Sequence, residues 1–370
     1  MKKKIISTKG ILIISILCCI SVINFPLSAQ GKYGPADTLL LKDYRPVSLY
    51  KIPVTHVDKA AFSVIDVHTH DYAKTDEEIV NWIKMMDACG IGKTIILAMT
   101  AGAKFDSIVQ KYAKYGNRFE VWCGFDYTGY DKPGFGPAAV KELERCYKMG
   151  ARGVGEEGDK GLGLFYSEPV KALGMHFDDP RMKPLFEKCA ELNMPINIHV
   201  ADPIWFYEKM DSQNDGLMEA QRWLIDMTEP GTIGFDALIK TLENAVKNNP
   251  KTTFIAAHFA NLNHDMEKLA ALFDKYPNLY ADISARFEMT ANIPRYMKTF
   301  YEKYQDRLLY GTDMGMSISM YRSTFRVLES NDEHFYEFRS YKWAQSGIGL
   351  SKEVLQKVYH DNAAKILKLK

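Results

Sequence analysis

The sequence predicts an α/β fold, a (β/α)8 TIM barrel preceded by a short N-terminal extension, and three observations support this prediction. Eight short strand-like runs alternate with amphipathic helical segments from residue 62 onwards. Long connections follow strands, whereas short connections precede them. Histidines and acids stand at the ends of several strands, on the face where such barrels build their active sites. A doubly wound open sheet is the alternative architecture.

Length and composition allow a large buried core. The chain has 370 residues, of which 46% are hydrophobic, and this fits one large α/β domain or two ordinary ones. The net charge of +1 includes four N-terminal lysines, and the remaining chain carries 43 Lys and Arg against 46 Asp and Glu. This balance gives no electrostatic basis for nucleic-acid binding, and the expected partner is a small molecule.

Residues 1–29 have the pattern of a secretory signal peptide. Lys2 to Lys4 form the charged start, residues 11–23 form the apolar run, and Leu27-Ser28-Ala29 provides a small-residue cleavage site. The apolar run is too short for a typical transmembrane span, so no stable span is expected after cleavage. A retained anchor and a lipid-modified Cys18 are the alternatives. We therefore predict an exported protein of the periplasm or cell envelope.

Residues 30–61 have little periodicity and contain Pro46 and Pro53, so we predict an N-terminal extension on the surface of a barrel domain that spans residues 62–370. The eight strands of that domain are predicted in chain order from their short apolar runs. They span residues 62–68, 94–98, 119–125, 151–155, 195–200, 252–258, 278–283 and 308–312.

Helical segments fill the gaps between the predicted strands. The segment from Pro180 to Asn193 shows the pattern well, because its apolar residues fall at offsets 0, 3, 4, 7 and 8 and Pro195 opens the next strand. The other predicted helices span residues 76–89, 104–115, 137–149, 235–248, 264–275, 292–304 and 351–368. Cys146 and Cys189 fall on the apolar stripes of helices and are expected to be buried hydrophobes.

Three long connections, residues 157–179, 200–234 and 314–350, are predicted to be irregular and to lie at the C-terminal face of the barrel. The connection after the fifth strand is rich in aromatic residues, which form either a lid over the site or a simple hydrophobic cover. These residues are Trp205, Phe206, Tyr207 and Trp223.

His68 and His70 stand at the end of the first strand, where residues two apart point to the same side. Two convergent imidazoles indicate either a metal site or an ordinary polar pair. Further residues of the types that bind metals occur at the ends of later strands, which favours the metal. These are Glu156 after the fourth strand, His199 at the fifth, His258 at the sixth and Asp313 after the eighth.

At these positions the sequence resembles the metal-dependent amidohydrolase superfamily, specifically the amidohydrolase-related branch that also contains decarboxylases of the aminocarboxymuconate-semialdehyde type. The resemblance covers residues 62–368. It rests on the motifs Asp66-Val-His-Thr-His70, Asn197-Ile-His199, Ala257-His258-Phe, Leu309-Tyr-Gly-Thr-Asp313 and Asp361-Asn-Ala-Ala-Lys-Ile-Leu367.

The resemblance implies that His68, His70, His199 and Asp313 bind one Zn²⁺, with another divalent metal as an alternative. It makes His258 either a ligand of a second metal or a group that protonates or polarises the substrate. The fourth strand departs from the binuclear pattern, since no lysine stands at its end. Glu156 could take that place as a ligand or be an ordinary loop acid, and the nearby Lys160 leaves the register open. A mononuclear site is the first choice.

For function, the resemblance implies hydrolysis of a C–O or C–N bond, as in a lactone, ester or amide, by metal-activated water. Asp313 would accept the proton of the water, and His258 would stabilise the oxyanion or protonate the leaving group. Arg286 could hold a substrate carboxylate or form a structural salt bridge. A metal-dependent non-oxidative decarboxylase is the alternative, and a non-catalytic binding barrel is a third. A homo-oligomer is compatible with the sequence, which gives no oligomeric state.

Overall fold

In the computed structural model, residues 34–164, 168–337 and 343–369 are described, so the predicted signal peptide lies outside the described residues. The eight predicted strands are all present and in the expected order, which confirms the (β/α)8 barrel. They are β1 (Val64–Thr69), β2 (Ile91–Leu97), β3 (Phe119–Trp122), β4 (Val154–Asp159), β5 (Ile196–Val200), β6 (Phe254–Ala256), β7 (Leu279–Asp282) and β8 (Leu308–Leu309).

The strands form two parallel sheets that backbone hydrogen bonds join at both edges. One sheet has the order β1-β2-β3, and the other has the order β8-β7-β6-β5-β4. At the first junction Cys123 pairs with Val154, and at the second the Val67 N–H donates to the Tyr310 carbonyl at 3.0 Å. The carboxyl ends of all eight strands consequently face the same end of the molecule.

Among the described residues, eight helices of ten or more residues follow the strands. They are α1 (Asp76–Cys89), α2 (Gly102–Ala113), α3 (Phe135–Met149), α4 (Lys183–Leu192), α5 (Phe235–Asn248), α6 (Met266–Lys275), α7 (Pro294–Tyr304) and α8 (Ile318–Glu329). Helix α1 shows why they form: Thr75 and Glu78 make a capping box, and Gly90 ends the helix in the left-handed conformation. Its buried stripe, Ile79, Trp82, Met86 and Cys89, packs in the core.

The largest departures from the predicted bounds are in three places. The fourth strand begins and ends later than expected, so Glu156 lies inside β4 and not after it. The connections predicted to be irregular contain regular elements, of which α8 is the longest, with short helices at Ile204–Phe206 and Leu217–Trp223. The segment predicted as one helix over 351–368 is divided by a π-helical turn at Lys357–Asp361.

The chain divides into two units, Met1–Tyr44 and Arg45–Lys370. In the first unit the described residues form a short helix, Pro35–Thr38, and one helical turn, Leu41–Asp43. In the second unit Thr55 donates from its N–H and its hydroxyl to Asp332, which attaches the segment before β1 to the barrel. No helix among the described residues has both the length and the apolar character to cross a bilayer.

Candidate metal centre

Six ligand-type side chains from five strands converge at the carboxyl end of the barrel. All are the residues expected from the sequence. His68 is in β1 and His70 follows it, Glu156 is in β4, His199 is in β5, His258 follows β6, and Asp313 follows β8. They form three overlapping groups in which the potential ligand atoms all lie within 4.8 Å of one another. The groups are His68, His258 and Asp313; His68, His70 and Glu156; and Glu156, His199 and His258.

Glu156 lies at the centre of the histidines. Its Oε1 is 2.6 Å from His199 Nδ1, 3.3 Å from His258 Nε2 and 3.5 Å from His68 Nε2. Its Oε2 is 3.4 Å from His70 Nε2. Glu156 is thus a member of the cluster and not a loop acid, whereas Lys160 lies outside it and pairs with Asp202 at 2.9 Å.

Asp313 closes the cluster on its more exposed side. Its Oδ1 is 3.1 Å from His70 Nε2 and accepts a hydrogen bond from the Tyr72 hydroxyl at 3.1 Å. Its Oδ2 is 3.7 Å from His258 Nε2. The Asp313 side chain is 24% exposed, against 8% for Glu156 and none for His68, so Asp313 borders the space that a substrate can enter.

Each histidine is held by one ring nitrogen and presents the other to the cluster. The Nδ1–H groups donate at 2.9 to 3.0 Å, from His68 to Asp282, from His70 to the Leu97 carbonyl and from His258 to the Ser284 carbonyl. His199 has the reverse orientation, with Nε2 3.3 Å from Asp202 Oδ1.

This arrangement fits a divalent cation. His68 Nε2 is buried and has no hydrogen-bond partner among the described residues, although its other nitrogen is firmly held. Metal-binding histidines are typically oriented in this way, by a carboxylate or a carbonyl on the far ring nitrogen. Imidazole nitrogens and carboxylate oxygens are donors that zinc and manganese both accept.

The electrostatics of the cluster also suit a cation. Burial opposes the charged form of His70, but the Asp313 and Glu156 carboxylates raise its pKa to about 10. Burial also disfavours the ionised form of Asp313, yet the nearby histidines lower its pKa to about 2. Burial and the charge of Arg286 lower the pKa of His258 to about 4. The nearby histidines also hold the pKa of Glu156 below its usual range against the effect of burial, so both carboxylates stay ionised beside positive charge, which protonated imidazoles or a metal ion would supply.

Two of the sequence motifs are locked together behind the cluster. Asp66 accepts hydrogen bonds from the Thr312 N–H at 3.0 Å and from its hydroxyl at 2.7 Å. Gly311, the residue before Thr312, lies so close to β1 that a Cβ added to it would be 2.8 Å from the His68 Cβ. These contacts fix the separation of β1 and β8, and with it the separation of His68 and Asp313.

A left-handed turn follows β6 and carries His258. Four consecutive residues without glycine, His258 to Asn261, have φ between 54° and 58°. The left-handed conformation costs about 1–2 kcal/mol for each such residue, so surrounding contacts must stabilise the turn. Asn261 provides such contacts, because its amide donates to the Val200 and Ala201 carbonyls, both at 3.1 Å. Its Oδ1 accepts from Arg286 Nε at 3.0 Å and Nη2 at 2.5 Å.

A cavity of about 390 Å³ opens beside the cluster. Arg286 lines it together with His258 and Asp313, which places the predicted carboxylate-binding residue at the site. Of the four aromatic residues in the connection after β5, Phe206 and Trp223 line the cavity. Trp205 packs against His264 and Tyr207 against Phe235, so these two support the connection from behind.

Sequence reasoning missed several residues that orient the ligands. Asp282 is fully buried at the end of β7 and receives hydrogen bonds from His68, Asn197, Ser284 and the His258 backbone. It stands at a strand end like the residues that were found, and that position was the available signal. Asp202 and Tyr72 gave no such signal, because both lie in connections.

Comparisons with known proteins identify the family and similar folds. Residues 65–369 match the family model described as Amidohydrolase. The structure is similar to 2,6-dihydroxybenzoate decarboxylase from Rhizobium, with a TM-score of 0.52 and 16% identity over 83% of this chain and 99% of that one. A comparison with curated proteins gave no match.

Two other similar structures contain manganese. Dihydroxybenzoic acid decarboxylase from Polaromonas sp. JS666, with the inhibitor 2-nitroresorcinol, has a TM-score of 0.53 and 16% identity over 83% of this chain and 97% of that one. The second is 5-carboxyvanillate decarboxylase from Novosphingobium aromaticivorans DSM 12444 with 4-hydroxy-3-methoxy-5-nitrobenzoic acid. Its TM-score is 0.52, and its identity is 14% over 86% of this chain and 100% of that one. At these identities the likeness shows a shared fold.

Proposed function

Since the chain belongs to the amidohydrolase family, whose model matches residues 65–369, we propose that it hydrolyses a C–O or C–N bond of a small molecule with the help of a bound metal. The observation that carries this proposal is the position of Asp313. Its carboxylate touches the histidine cluster on one side and borders the cavity on the other. A general base for water attack requires both contacts.

Different side chains would carry the separate proton-transfer and stabilising roles of such a reaction. A cation bound by the cluster would lower the pKa of a coordinated water from about 15.7 to about 7 and polarise the scissile carbonyl. Asp313 accepts the proton of the attacking water, and the Tyr72 hydroxyl, 3.1 Å away, fixes the orientation of that carboxylate. His258 Nε2 is 3.7 Å from Asp313 Oδ2, and once it takes up a proton from that side it would donate to the developing oxyanion or leaving group.

Arg286 would hold a carboxylate of the substrate. Asn261 accepts from Nε and Nη2 of its guanidinium group, and the Ala285 carbonyl accepts from Nη1 at 2.8 Å. An arginine fixed in this way loses little side-chain entropy when it binds a carboxylate. The substrate of this proposal is accordingly a small acid with a hydrolysable ester, lactone or amide bond.

We propose one zinc ion as the resident metal. The four imidazoles and two carboxylates suit zinc, and Glu156 belongs to two of the three ligand groups. Manganese is the alternative, because two similar proteins are described with it bound. Metal analysis of the protein purified without chelator should give about one equivalent of zinc, and a stoichiometry near two or the absence of metal would contradict this proposal.

Decarboxylation is a second candidate function, and a specific observation favours it. Arg286 and the metal cluster line the same cavity, which would position a carboxylate for loss as CO₂, and three similar structures are decarboxylases. In that reaction an acid such as His258 would protonate the carbon that CO₂ leaves. The hydrolase remains the first proposal because Asp313 is placed to accept a proton from water.

A substrate screen separates the two candidates. The metal-loaded protein is assayed with lactones, esters and amides of small carboxylic acids for acid release, and with hydroxybenzoates for CO₂ release. We expect hydrolysis, and we expect Asp313→Asn to lose at least about a hundredfold in kcat while keeping its metal. Turnover of hydroxybenzoates alone, or full hydrolysis by Asp313→Asn, would contradict the proposed mechanism. Glu302→Gln, an exposed acid on α7, is the control.

We also propose that the protein is exported, because residues 1–29 have the features of a signal peptide. Cell fractionation and N-terminal sequencing of the natural protein test this proposal. A mature chain that begins near residue 30 in the envelope fraction is expected, and an intact Met1 in the cytoplasm would contradict it.

A further inference from the structure

Two acidic side chains line the cavity on elements distinct from the metal cluster. Glu219 belongs to the short helix Leu217–Trp223 in the connection after β5, and Glu288 belongs to the helix Phe287–Thr290 after β7. Neither residue was singled out by the sequence, and neither has a task in the proposed reaction. They give the cavity two carboxyl groups in addition to those of the metal cluster.

Each of the two carboxyl groups has one buried oxygen atom without a hydrogen-bond partner among the described residues. The Glu288 side chain is 8% exposed, and within the described part of the chain its Oε2 has no hydrogen-bond partner. Glu219 Oε1 likewise has none in those residues, and the nearest cation, Nη1 of the largely exposed Arg222, is 3.7 Å away. An unpartnered buried carboxylate is costly, so it either takes up a proton or is compensated by a cationic group that enters the cavity.

The charges around the cavity show what kind of group would compensate them. Lys160 is paired with Asp202 and also lies over the Trp223 ring, so the Asp202 charge is matched. Arg286 has its Nε and Nη2 on Asn261 and is the cation nearest to Glu288 in sequence. Among the described residues that line the cavity, apart from the metal cluster and the Lys160–Asp202 pair, Arg286 is the one cation beside the acids Glu219 and Glu288, and Arg222 approaches Glu219 from outside this lining.

We propose that Glu219 and Glu288 form a subsite for a cationic nitrogen group of the substrate, such as a primary ammonium. An ammonium carries three donors and one positive charge, so it can donate to both carboxylates and neutralise the excess acid. A hydroxyl carries one donor and no charge, and it would leave that excess in place. This inference rests on the proposed function, and it defines the substrate as an amino acid in the broad sense, with its carboxylate on Arg286.

The subsite would also couple substrate binding to the connection after β5. Glu219 is contributed by that connection and Glu288 by the barrel itself, so an ammonium group that binds both would join the two elements. A ligand without this group would leave the helix Leu217–Trp223 attached only by its existing contacts.

The test uses three matched series of linear acids that end in an ammonium, a hydroxyl or a methyl group. Examples are 4-aminobutyrate, 4-hydroxybutyrate and pentanoate, with the longer members of each series. Their binding to the metal-loaded protein is measured by calorimetry. At the best chain length the amino acid should bind about ten- to a hundredfold more tightly than its two analogues, as expected for charge-assisted hydrogen bonds in a buried site.

Two variants make the assignment specific. Glu288→Gln and Glu219→Gln should each remove most of the preference for the amino acid while binding of the methyl-ended acid stays within about twofold. The exposed Glu302→Gln is the matched control and should keep the preference. Equal binding of the amino and hydroxy acids, a preference unchanged in both variants, or no binding of amino acids at millimolar concentration would each overturn the subsite. Loss of the proposed function would instead appear as missing metal or missing turnover.

Discussion

At the residue scale, the orientation of the histidines depends on side chains that lie outside the ligand cluster. Asp282 is the clearest case. It accepts from His68 Nδ1 at 2.9 Å, from the Ser284 hydroxyl at 2.5 Å and from the His258 N–H at 3.0 Å, and Asn197 Nδ2 donates to it at 2.8 Å. This one buried carboxylate thus fixes four groups, which lie in or directly after β1, β5, β6 and β7.

Replacement of Asp282 by Asn should therefore weaken metal binding without removing a ligand. The amide can turn its NH₂ toward His68 Nδ1–H, and this disfavours the ring orientation that presents Nε2. We expect zinc affinity to fall about ten- to a hundredfold. Competition titration with a fluorescent chelator measures the change. Asp236→Asn, at a side chain that is 85% exposed, is the control, and equal affinity in both variants would contradict the role of Asp282.

Glu288 gives a prediction for the pH dependence of stability. Burial raises its pKa to about 7, with the Glu219 charge adding to this effect and Arg286 opposing it. A carboxyl whose pKa is higher in the folded state binds its proton more tightly there. Its contribution to folding is most favourable below about pH 4.5 and becomes less favourable up to about pH 7.

Glu288→Gln should remove the loss of stability that ionisation of Glu288 causes as the pH rises. Relative to the natural protein, the variant is expected to gain stability between pH 5 and pH 8, by about 3 kcal/mol at most. Urea unfolding at the two pH values measures the gain in the free energy of unfolding. The exposed Glu302→Gln should show no such change with pH. An equal effect of Glu288→Gln at both pH values would contradict the buried, proton-binding state of this carboxyl.

The ligand-type residues of the cluster could be predicted because strand ends are readable from apolar runs and parallel barrel strands share one active face. Asp282 also stands at such a position, but its buried contacts with His68 and His258 depend on the tertiary structure. Tyr72, Asp202 and Glu219 come from connections whose path depends on tertiary contacts. Sequence periodicity carries no information about that path.

At the element scale, the misplaced fourth strand shows how a local pattern misled the prediction. The run Val154 to Asp159 contains two glycines and three acids, a composition that is rare in strands, yet all six residues are buried. Their polar groups are satisfied within the barrel, as when Glu157 accepts from the Phe125 N–H and the Tyr127 hydroxyl. Tertiary contacts thus overrode propensity where Glu156, a carboxylate of the histidine cluster, lies.

Helix α8 was missed for a different reason. Its buried residues Tyr321, Thr324, Phe325 and Leu328 follow the 3.6-residue period, and Ser317 caps its first turn. The signal was present, but the prediction had assigned the whole of 314–350 to an irregular connection. The core positions of helices with strong apolar stripes, such as α4, were predicted correctly.

The left-handed turn after β6 makes an element-scale prediction through Asn261. Asn261→Ala removes both donors to the Val200 and Ala201 carbonyls and the acceptor for Arg286, so the free energy of unfolding should fall by about 2–3 kcal/mol. Asn261→Asp keeps an acceptor for Arg286 but loses the donors. We expect both variants to be destabilised, as chemical denaturation would show.

Function should separate the two variants. Asn261→Ala should raise KM for a carboxylate-bearing substrate more than Asn261→Asp, because Arg286 keeps its partner only in the latter. The exposed Asn292→Ala is the control for an amide removed elsewhere. Equal KM values in the two Asn261 variants would show that this residue supports the turn and has no part in orienting Arg286.

At the scale of the whole molecule, the barrel brings together residues that are up to 245 positions apart, from His68 to Asp313. In the cluster, two carboxylates and four imidazoles share a space that is nearly closed to solvent. Because strands on opposite sides of the barrel contribute these ligands, a bound cation acts as a cross-link of the folded state alone. The unfolded chain offers no comparable arrangement.

Removal of the metal should therefore lower the stability of the entire domain. A cation at a hundredfold excess over its Kd stabilises the folded state by about 2.7 kcal/mol, which corresponds to several degrees in Tm. We expect chelation to lower Tm in scanning calorimetry, and zinc or manganese, added back separately, to restore it to an extent that ranks the two metals. The double variant His70→Ala/Asp313→Asn should not respond to chelation. Equal Tm before and after chelation, in protein shown by analysis to have lost its metal, would mean that the cluster does not bind the cation as an integral part of the fold.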